Sequence, residues 1–245
     1  MSGYRKELTE TFVEVGDDRR ITVFPRLLNR IEQCHARSLL DYGGGDGAFA
    51  SVCTSLALER IVTYDLSEAM NDLAGKRSAA DPRIESVRST SGLPDGAFDV
   101  VTCNGVWMCW PTEENCVRNL REIVRLLAPG GLFLAAVTHP CFRDRPFATF
   151  RTDFDPARYL EDGTPFRVTM FDGAREVELD DTHWSLSAMT RQLRATDLQL
   201  LEILEVPDLG GATGCPWMII EAQRSNGATA GWSRTPGAAL PCGGG

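Results

Sequence analysis

The sequence predicts an α/β fold: an open, doubly wound and mostly parallel sheet with helices on both faces. Three observations predict it. Short, continuously apolar runs alternate with segments of helical period, the pattern of strands buried on both faces between covering helices. A glycine cluster, Gly43-Gly44-Gly45-Asp46-Gly47, joins the first apolar run to the helix after it. A polar stretch with Pro140, Pro146, Pro156 and Pro165 breaks the alternation over 140–182.

Element by element, Val23, Phe24, Leu27, Leu28 and Ile31 repeat with a helical period, and Thr22 with Pro25 suits a helix start. Ser38–Tyr42 is the first strand and Ala48–Leu58 the helix after the glycines. Ile61–Asp65 is the second strand, with Ser67 as N-cap of the next helix. Ile84–Val87 and Phe98–Cys103 are the third and fourth strands. Val117, Leu120, Ile123, Val124 and Leu127 then share one helical face, and Pro129-Gly130-Gly131 stops that helix ahead of a fifth strand, Leu132–Val137. Within 140–182, Arg167–Met170 and Arg175–Leu179 form a hairpin about Phe171-Asp-Gly-Ala. A connection this long is usually functional or disordered. The aromatics Phe142, Phe147, Phe150, Phe154, Tyr159 and Phe166 favour an ordered cap over the sheet. A helix, Ser185–Thr196, and two strands, Leu198–Val206 and Trp217–Ala222, complete one domain over 1–222. Six Gly, four Ala and two Pro among the 23 residues of 223–245 cannot build a core, so that segment reads as a flexible tail.

The chain has 245 residues and a formal charge of −9, which argues against a phosphate backbone as partner. Its eight cysteines are scattered singly, without a CxxC pair or a histidine at ligand spacing, so neither a metal site nor a disulfide framework is expected. The segment MSGYRKELTETF lacks the apolar stretch of a signal peptide, and no run is apolar for the roughly 18 residues a membrane helix needs. The expectation is a soluble, reduced, cytoplasmic protein, monomer or homodimer, with no nucleic-acid or membrane partner.

The chemistry centres on Asp41-Tyr42-Gly43-Gly44-Gly45-Asp46-Gly47. Glycines let the backbone turn sharply and approach a ligand, and the carboxyl end of a parallel strand is where open α/β sheets bind nucleotides. Gly43-x-Gly45-x-x-Ala48 with Asp65 downstream also satisfies the dinucleotide pattern of NAD(P) oxidoreductases, so that reading stays open at this point, as does a non-catalytic nucleotide-binding protein. Two further features break the tie. The DxGxGxG spacing from Asp41 resembles motif I of the class I, Rossmann-like S-adenosylmethionine-dependent methyltransferases. Leu93-Pro94-Asp-Gly-Ala-Phe98-Asp99-Val-Val with Leu120-Arg-Glu-Ile-Val-Arg125-Leu-Leu-Ala-Pro129-Gly130-Gly131 resembles that family's later motifs. Thr138-His139-Pro140-Cys141-Phe142 and Asp181-Thr-His183-Trp184 are similar to its small-molecule members.

The resemblance implies a seven-stranded sheet with the last strand antiparallel, S-adenosyl-L-methionine as cofactor and a small-molecule methyl acceptor. It places Asp41, Gly43, Gly44 and Gly45 at the methionine part, Asp65 on the ribose hydroxyls, and Leu66 and Met70 against adenine. Asn104 and Gly105 come under the sulfonium end. The loop Arg88-Ser89-Thr90-Ser91 lacks an aspartate that family members often carry there, leaving Ser89 and Thr90 for the adenine edge. Trp107 and Met108 are expected to line the acceptor pocket. Transfer to a hydroxyl gains from a base; His183, ahead of the last helix, is the expected base and His139, at the end of the fifth strand, the residue that orients the acceptor, both on the side where the cofactor should lie.

Overall fold

The computed structural model describes residues 18–173, 175–211 and 213–225. The segment at the start of the chain and residues 226–245, on which the leader and most of the tail expectations fall, lie outside them.

The chain enters through a short α1 (Arg19–Thr22) and α2 (Phe24–Gln33), then alternates β1 (Ser38–Tyr42), α3 (Ala48–Val52), β2 (Arg60–Tyr64), α4 (Glu68–Ser78), β3 (Ile84–Val87), β4 (Phe98–Asn104), α5 (Glu113–Leu126) and β5 (Leu127–Thr138). A separate sheet follows from β6 (Phe150–Thr152), β7 (Pro165–Asp172) and β8 (Arg175–Thr182). The chain then returns through α6 (Leu186–Arg194), β9 (Leu198–Val206) and β10 (Trp217–Arg224).

The main sheet has seven strands in the order β3-β2-β1-β4-β5-β10-β9. Pairs from β3 to β5 are parallel, and β10 runs antiparallel to both neighbours. The chain moves outward from β1 to β3, then restarts at β4 on the other side of β1. Right-handed crossovers in opposite directions put helices on opposite faces, so α2 to α4 form one layer and α5 with α6 the other. The order reverses between β1 and β4, and their carboxyl ends are therefore the ligand-binding crevice of such a sheet. Leu39, Leu40, Ile61, Val62, Val100, Val101 and Phe133–Val137 are fully buried. Leu120, Ile123 and Leu126 seal one face from α5, each contributing roughly 1.5–3 kcal/mol on burial.

Many residues behind the family resemblance are braces. The Asp99 carboxylate accepts from Arg37 N, Ser38 N and Ser38 Oγ at 2.9–3.0 Å, tying the start of β4 to the start of β1. Arg125 donates to the carbonyls of Leu93 and Thr90 at 2.9 and 3.0 Å and pairs with Asp95 and Glu122. It thereby pins the β3–β4 connection to α5.

Three boundaries differ from expectation. Pro129–Gly131 lies inside β5, because pairing of Phe98 with Leu127 already starts the strand there. The helix expected to reach Leu58 ends at Val52 and continues only as a tight turn, Cys53–Ser55. β10 runs to Arg224, two residues into the expected tail: Gln223 pairs with Leu132 and donates to the Gly130 carbonyl at 2.8 Å.

Candidate functional site

β1 delivers the chain to the glycine loop. The N–H groups of Gly43 and Gly44 both donate to the Tyr64 carbonyl, at 2.7 and 2.9 Å, so the loop turns across the end of β2. Gly43 has φ +78°, and a Cβ there would stand 2.4 Å from Val106 Cγ2. Only glycine fits. A Cβ on Gly44 would lie 2.2 Å from Thr63 Oγ1 and 2.7 Å from Asp41 Oδ2, which shows how closely the backbone passes over two polar side chains.

Those side chains belong to an unusual group of buried acceptors. Asp41 Oδ1 accepts from Thr102 Oγ1 at 2.8 Å and Asn104 Nδ2 at 3.4 Å. Asp41 Oδ2, Thr63 Oγ1 and Asn104 Oδ1 are buried and have no partner. An unmade hydrogen bond of this kind costs about 1–3 kcal/mol. Burial pushes the Asp41 carboxyl up to about 7, the Thr102 hydroxyl opposing the rise. At the end of β2, Asp65 accepts from Ser67 N at 2.8 Å and Gly45 N at 3.0 Å, and burial raises it too. A carboxylate has about four acceptor positions, so two remain.

Arg19 completes this end. Its Nη1 donates to the Asn104 carbonyl at 3.3 Å, and its guanidinium stands 5.6 Å from the centroid of the Trp217 ring. A Cβ on Gly105, where φ is +74°, would be 2.5 Å from Arg19 Nη1. The sequence carried no signal for Arg19. For Thr63 and Thr102 it did: a hydroxyl within an apolar strand must find a buried partner.

The remaining expected residues divide. Leu66 is exposed beside Asp65, and Met70 is buried with its sulfur 4.0 Å from where a Gly45 Cβ would be. Ser89 is exposed and bonded to Ser91 Oγ at 2.9 Å. Thr90 is buried, and its carbonyl accepts from Arg125, which braces the loop. Trp107 and Met108 are buried in the core. Trp107 donates Nε1–H to Gln192 Oε1 at 2.8 Å and packs on Phe133 and Trp110. A shallow cleft of about 460 Å³ between Tyr42 and Arg118, Arg121 and Arg125 lies on the α5 face and holds none of the unpaired acceptors.

Both histidines also depart from expectation. His183 is fully buried. Arg143 Nη1 donates to its Nδ1 at 2.6 Å, so Nε2 carries the proton and donates to the Tyr159 carbonyl at 2.7 Å. Phe154 stacks on the ring at 4.2 Å. His139 accepts from Cys141 N at Nδ1, 3.2 Å, and donates from Nε2 to Glu205 Oε1 at 3.2 Å. Desolvation lowers both pKa values and favours the neutral rings. With every ring nitrogen engaged, neither has a lone pair left to take a proton.

Residues 40–135 match the family model described as a methyltransferase domain. Over those residues the chain carries a methyltransferase domain, with S-adenosylmethionine as methyl donor. It is 26% identical over 181 residues to the N-demethylindolmycin N-methyltransferase of Streptomyces griseus, covering 71% of this chain and 74% of that one. Its fold is that of an Aquifex aeolicus S-adenosylmethionine-dependent methyltransferase (TM-score 0.61, 14% identity, 91% and 100% of the two chains). It is also that of the Burkholderia thailandensis 1,6-didemethyltoxoflavin-N1-methyltransferase (TM-score 0.55, 18% identity, 92% of each). The oxidoreductase and non-catalytic alternatives find no support. The methyltransferase site suits its cofactor chemically, since unpaired buried acceptors, a guanidinium and a half-open carboxylate answer an ammonium, a carboxylate and a ribose diol. Among the described residues no helix is long and apolar enough to cross a membrane.

Proposed function

We propose that this methyltransferase transfers a methyl group to a nitrogen of a small, partly aromatic molecule held between the carboxyl ends of β4 and β5 and the β6–β8 cap. Asp41 Oδ2 and Asn104 Oδ1 would accept from the cofactor's ammonium, Arg19 would pair with its carboxylate, and Asp65 would take the ribose hydroxyls. Leu66 and Met70 would lie against adenine, with Ser89 at its edge. When bound, S-adenosylmethionine supplies a methyl group already activated on a sulfonium. The protein then has to align the nucleophile at roughly 3–3.5 Å and exclude water.

The observation that carries the choice of nitrogen is the state of the histidines. A hydroxyl gains from a base, and both candidate bases are neutral rings with no free lone pair. A neutral amine needs alignment alone. Two relatives, those acting on N-demethylindolmycin and 1,6-didemethyltoxoflavin, are named as N-methyltransferases, which supports the same reading. The seven described cysteines are all free thiols, in keeping with a reducing, cytoplasmic setting.

The test is an acceptor screen with methyl-labelled S-adenosylmethionine, using matched aromatic amines and phenols, with the site of label located by mass fragmentation. Label on nitrogen, at a turnover number under saturating acceptor that His139→Ala and His183→Ala change by less than about tenfold, supports the proposal. Label on oxygen, with turnover lost in one of those variants and recovered at high pH, would overturn it.

A further inference from the structure

Beneath the cap sits a charged group that no part of the transfer reaction above uses. Arg143 follows β5 and is 4% exposed, an uncommon place for a guanidinium. Its charge is partly compensated by aromatic faces: the Phe166 centroid is 4.1 Å from its Cζ and that of Phe154 5.4 Å. Asp181 lies within electrostatic reach but makes no hydrogen bond to it, and burial pushes that carboxyl up to about 6. Burial pulls Arg143 itself down to about 10, which leaves it charged at neutral pH.

The arrangement of its nitrogens is informative. Nη1, on the side of the guanidinium away from Nε–H, is used by His183. The other edge, where Nε–H and Nη2–H point the same way, is the fork that receives a carboxylate with two parallel bonds. On that edge Nη2 makes one long bond, 3.4 Å, to Thr138 Oγ1, and Nε is buried with no partner. Thr138 is the last residue of β5, two positions beyond Ala136, which pairs with Asn104. Thr138 thus stands about 7 Å further along the strand direction than the end of β4, and the fork lies beside it, at the carboxyl end of the sheet.

On the reading of the acceptor site given above, we propose that the Nε–Nη2 edge of Arg143 binds a carboxylate on the methyl acceptor. Arg143 then selects acidic aromatic amines over their neutral parents. His183 is the residue that holds the fork: its neutral Nδ1 fixes Nη1, its Nε2–H is anchored on the Tyr159 carbonyl, and Phe154 clamps the ring. Its place in the site is explained without proton transfer.

Calorimetry with saturating S-adenosylhomocysteine tests this, using two matched pairs: anthranilate against aniline, and indole-2-carboxylate against indole. The acid of at least one pair is expected to bind more tightly than its parent by about tenfold or more, the worth of a charge-assisted pair of hydrogen bonds. Arg143→Lys, which keeps the charge and loses the fork, should abolish that preference while S-adenosylhomocysteine affinity stays unchanged. Asp181→Asn, which leaves Arg143 in place and removes the competing negative charge, should increase the preference, and it carries the test if the lysine variant does not fold. Equal binding of acid and parent in both pairs, or a preference that survives Arg143→Lys, overturns the proposal. So does a preference that Asp181→Asn leaves unchanged. A purely structural Arg143 would move the melting temperature and leave the acid-to-parent ratio alone. Failure of S-adenosylhomocysteine to bind the wild-type chain would instead strike at the cofactor reading, which is a separate outcome.

Discussion

The glycine-loop end of the sheet and the cap are both rich in buried polar groups, but they dispose of them in opposite ways. Around the loop, Asp41, Thr63 and Asn104 each keep an acceptor without a partner. Under the cap, His139 and His183 have every ring nitrogen bonded within the protein, while the Arg143 fork and the Thr149 hydroxyl are left incomplete. A buried group left unpaired is a standing cost that a ligand can relieve, whereas a satisfied group contributes to stability and specificity of the fold. The first region is thus built to receive, and the histidines of the second are built to hold.

The largest expected effect breaks the comparison at the backbone. Gly43→Ala sets a Cβ against Val106 in a left-handed conformation, costing roughly 2–5 kcal/mol from the conformation and the overlap together. It should abolish S-adenosylhomocysteine binding by calorimetry. Gly173 in the cap hairpin also has positive φ but nothing within 4 Å of its Cβ position. Gly173→Ala should cost only about 1–2 kcal/mol in denaturant unfolding and spare the ligand. Next is Asp65→Ala, which should weaken S-adenosylhomocysteine by about 1.5–3 kcal/mol. Unchanged affinity in a folded variant would make Asp65 merely the brace between Gly45 and Ser67.

Smaller effects sharpen the cap. His183→Ala leaves Arg143 Nη1 without its partner and should lower stability by about 1–3 kcal/mol, with no recovery of turnover at alkaline pH. Both histidines are held neutral below their ordinary value of 6.5. As pH falls through that value the unfolded chain takes up protons that the folded chain refuses, so this contribution to stability is present above about pH 6.5 and fades below it. The raised carboxyls of Asp41 and Asp181 act in the opposite sense over the same range, so the histidine contribution is read as a difference: between pH 7.5 and 5 the denaturant midpoint of His183→Ala should gain on that of the wild type as pH falls.

The glycine-loop end was the more legible in the sequence for a physical reason. A backbone that turns under a ligand restricts residue type to glycine, and Asp41 and Asp65 stand where two parallel strands end, so chain position alone placed them. The role of His183 depended on partners 40 and 24 residues away, Arg143 and Tyr159, and that of His139 on Glu205, 66 residues away, which no spacing rule connects. Trp107 looked like a pocket wall because it follows β4; its indole N–H is instead claimed by Gln192 on α6. Pro129–Gly131 read as a helix stop, correctly, yet pairing with β4 draws the same residues into a strand.

The central claim is that the cofactor's ammonium is received by Asp41, and proton counting tests it most directly. Without ligand the buried carboxyl is raised to about 7 from an ordinary 3.8. Its ionisation therefore costs stability as pH rises between those values, and a cation bound beside it reverses that cost. Calorimetric titration of S-adenosylhomocysteine at pH 8 and pH 6 should show affinity about tenfold weaker at pH 6, with close to one proton released on binding there. Asp41→Asn should bind more weakly at pH 8 and lose the pH dependence. Equal wild-type affinity at both pH values, or a dependence that persists in Asp41→Asn, would contradict the account.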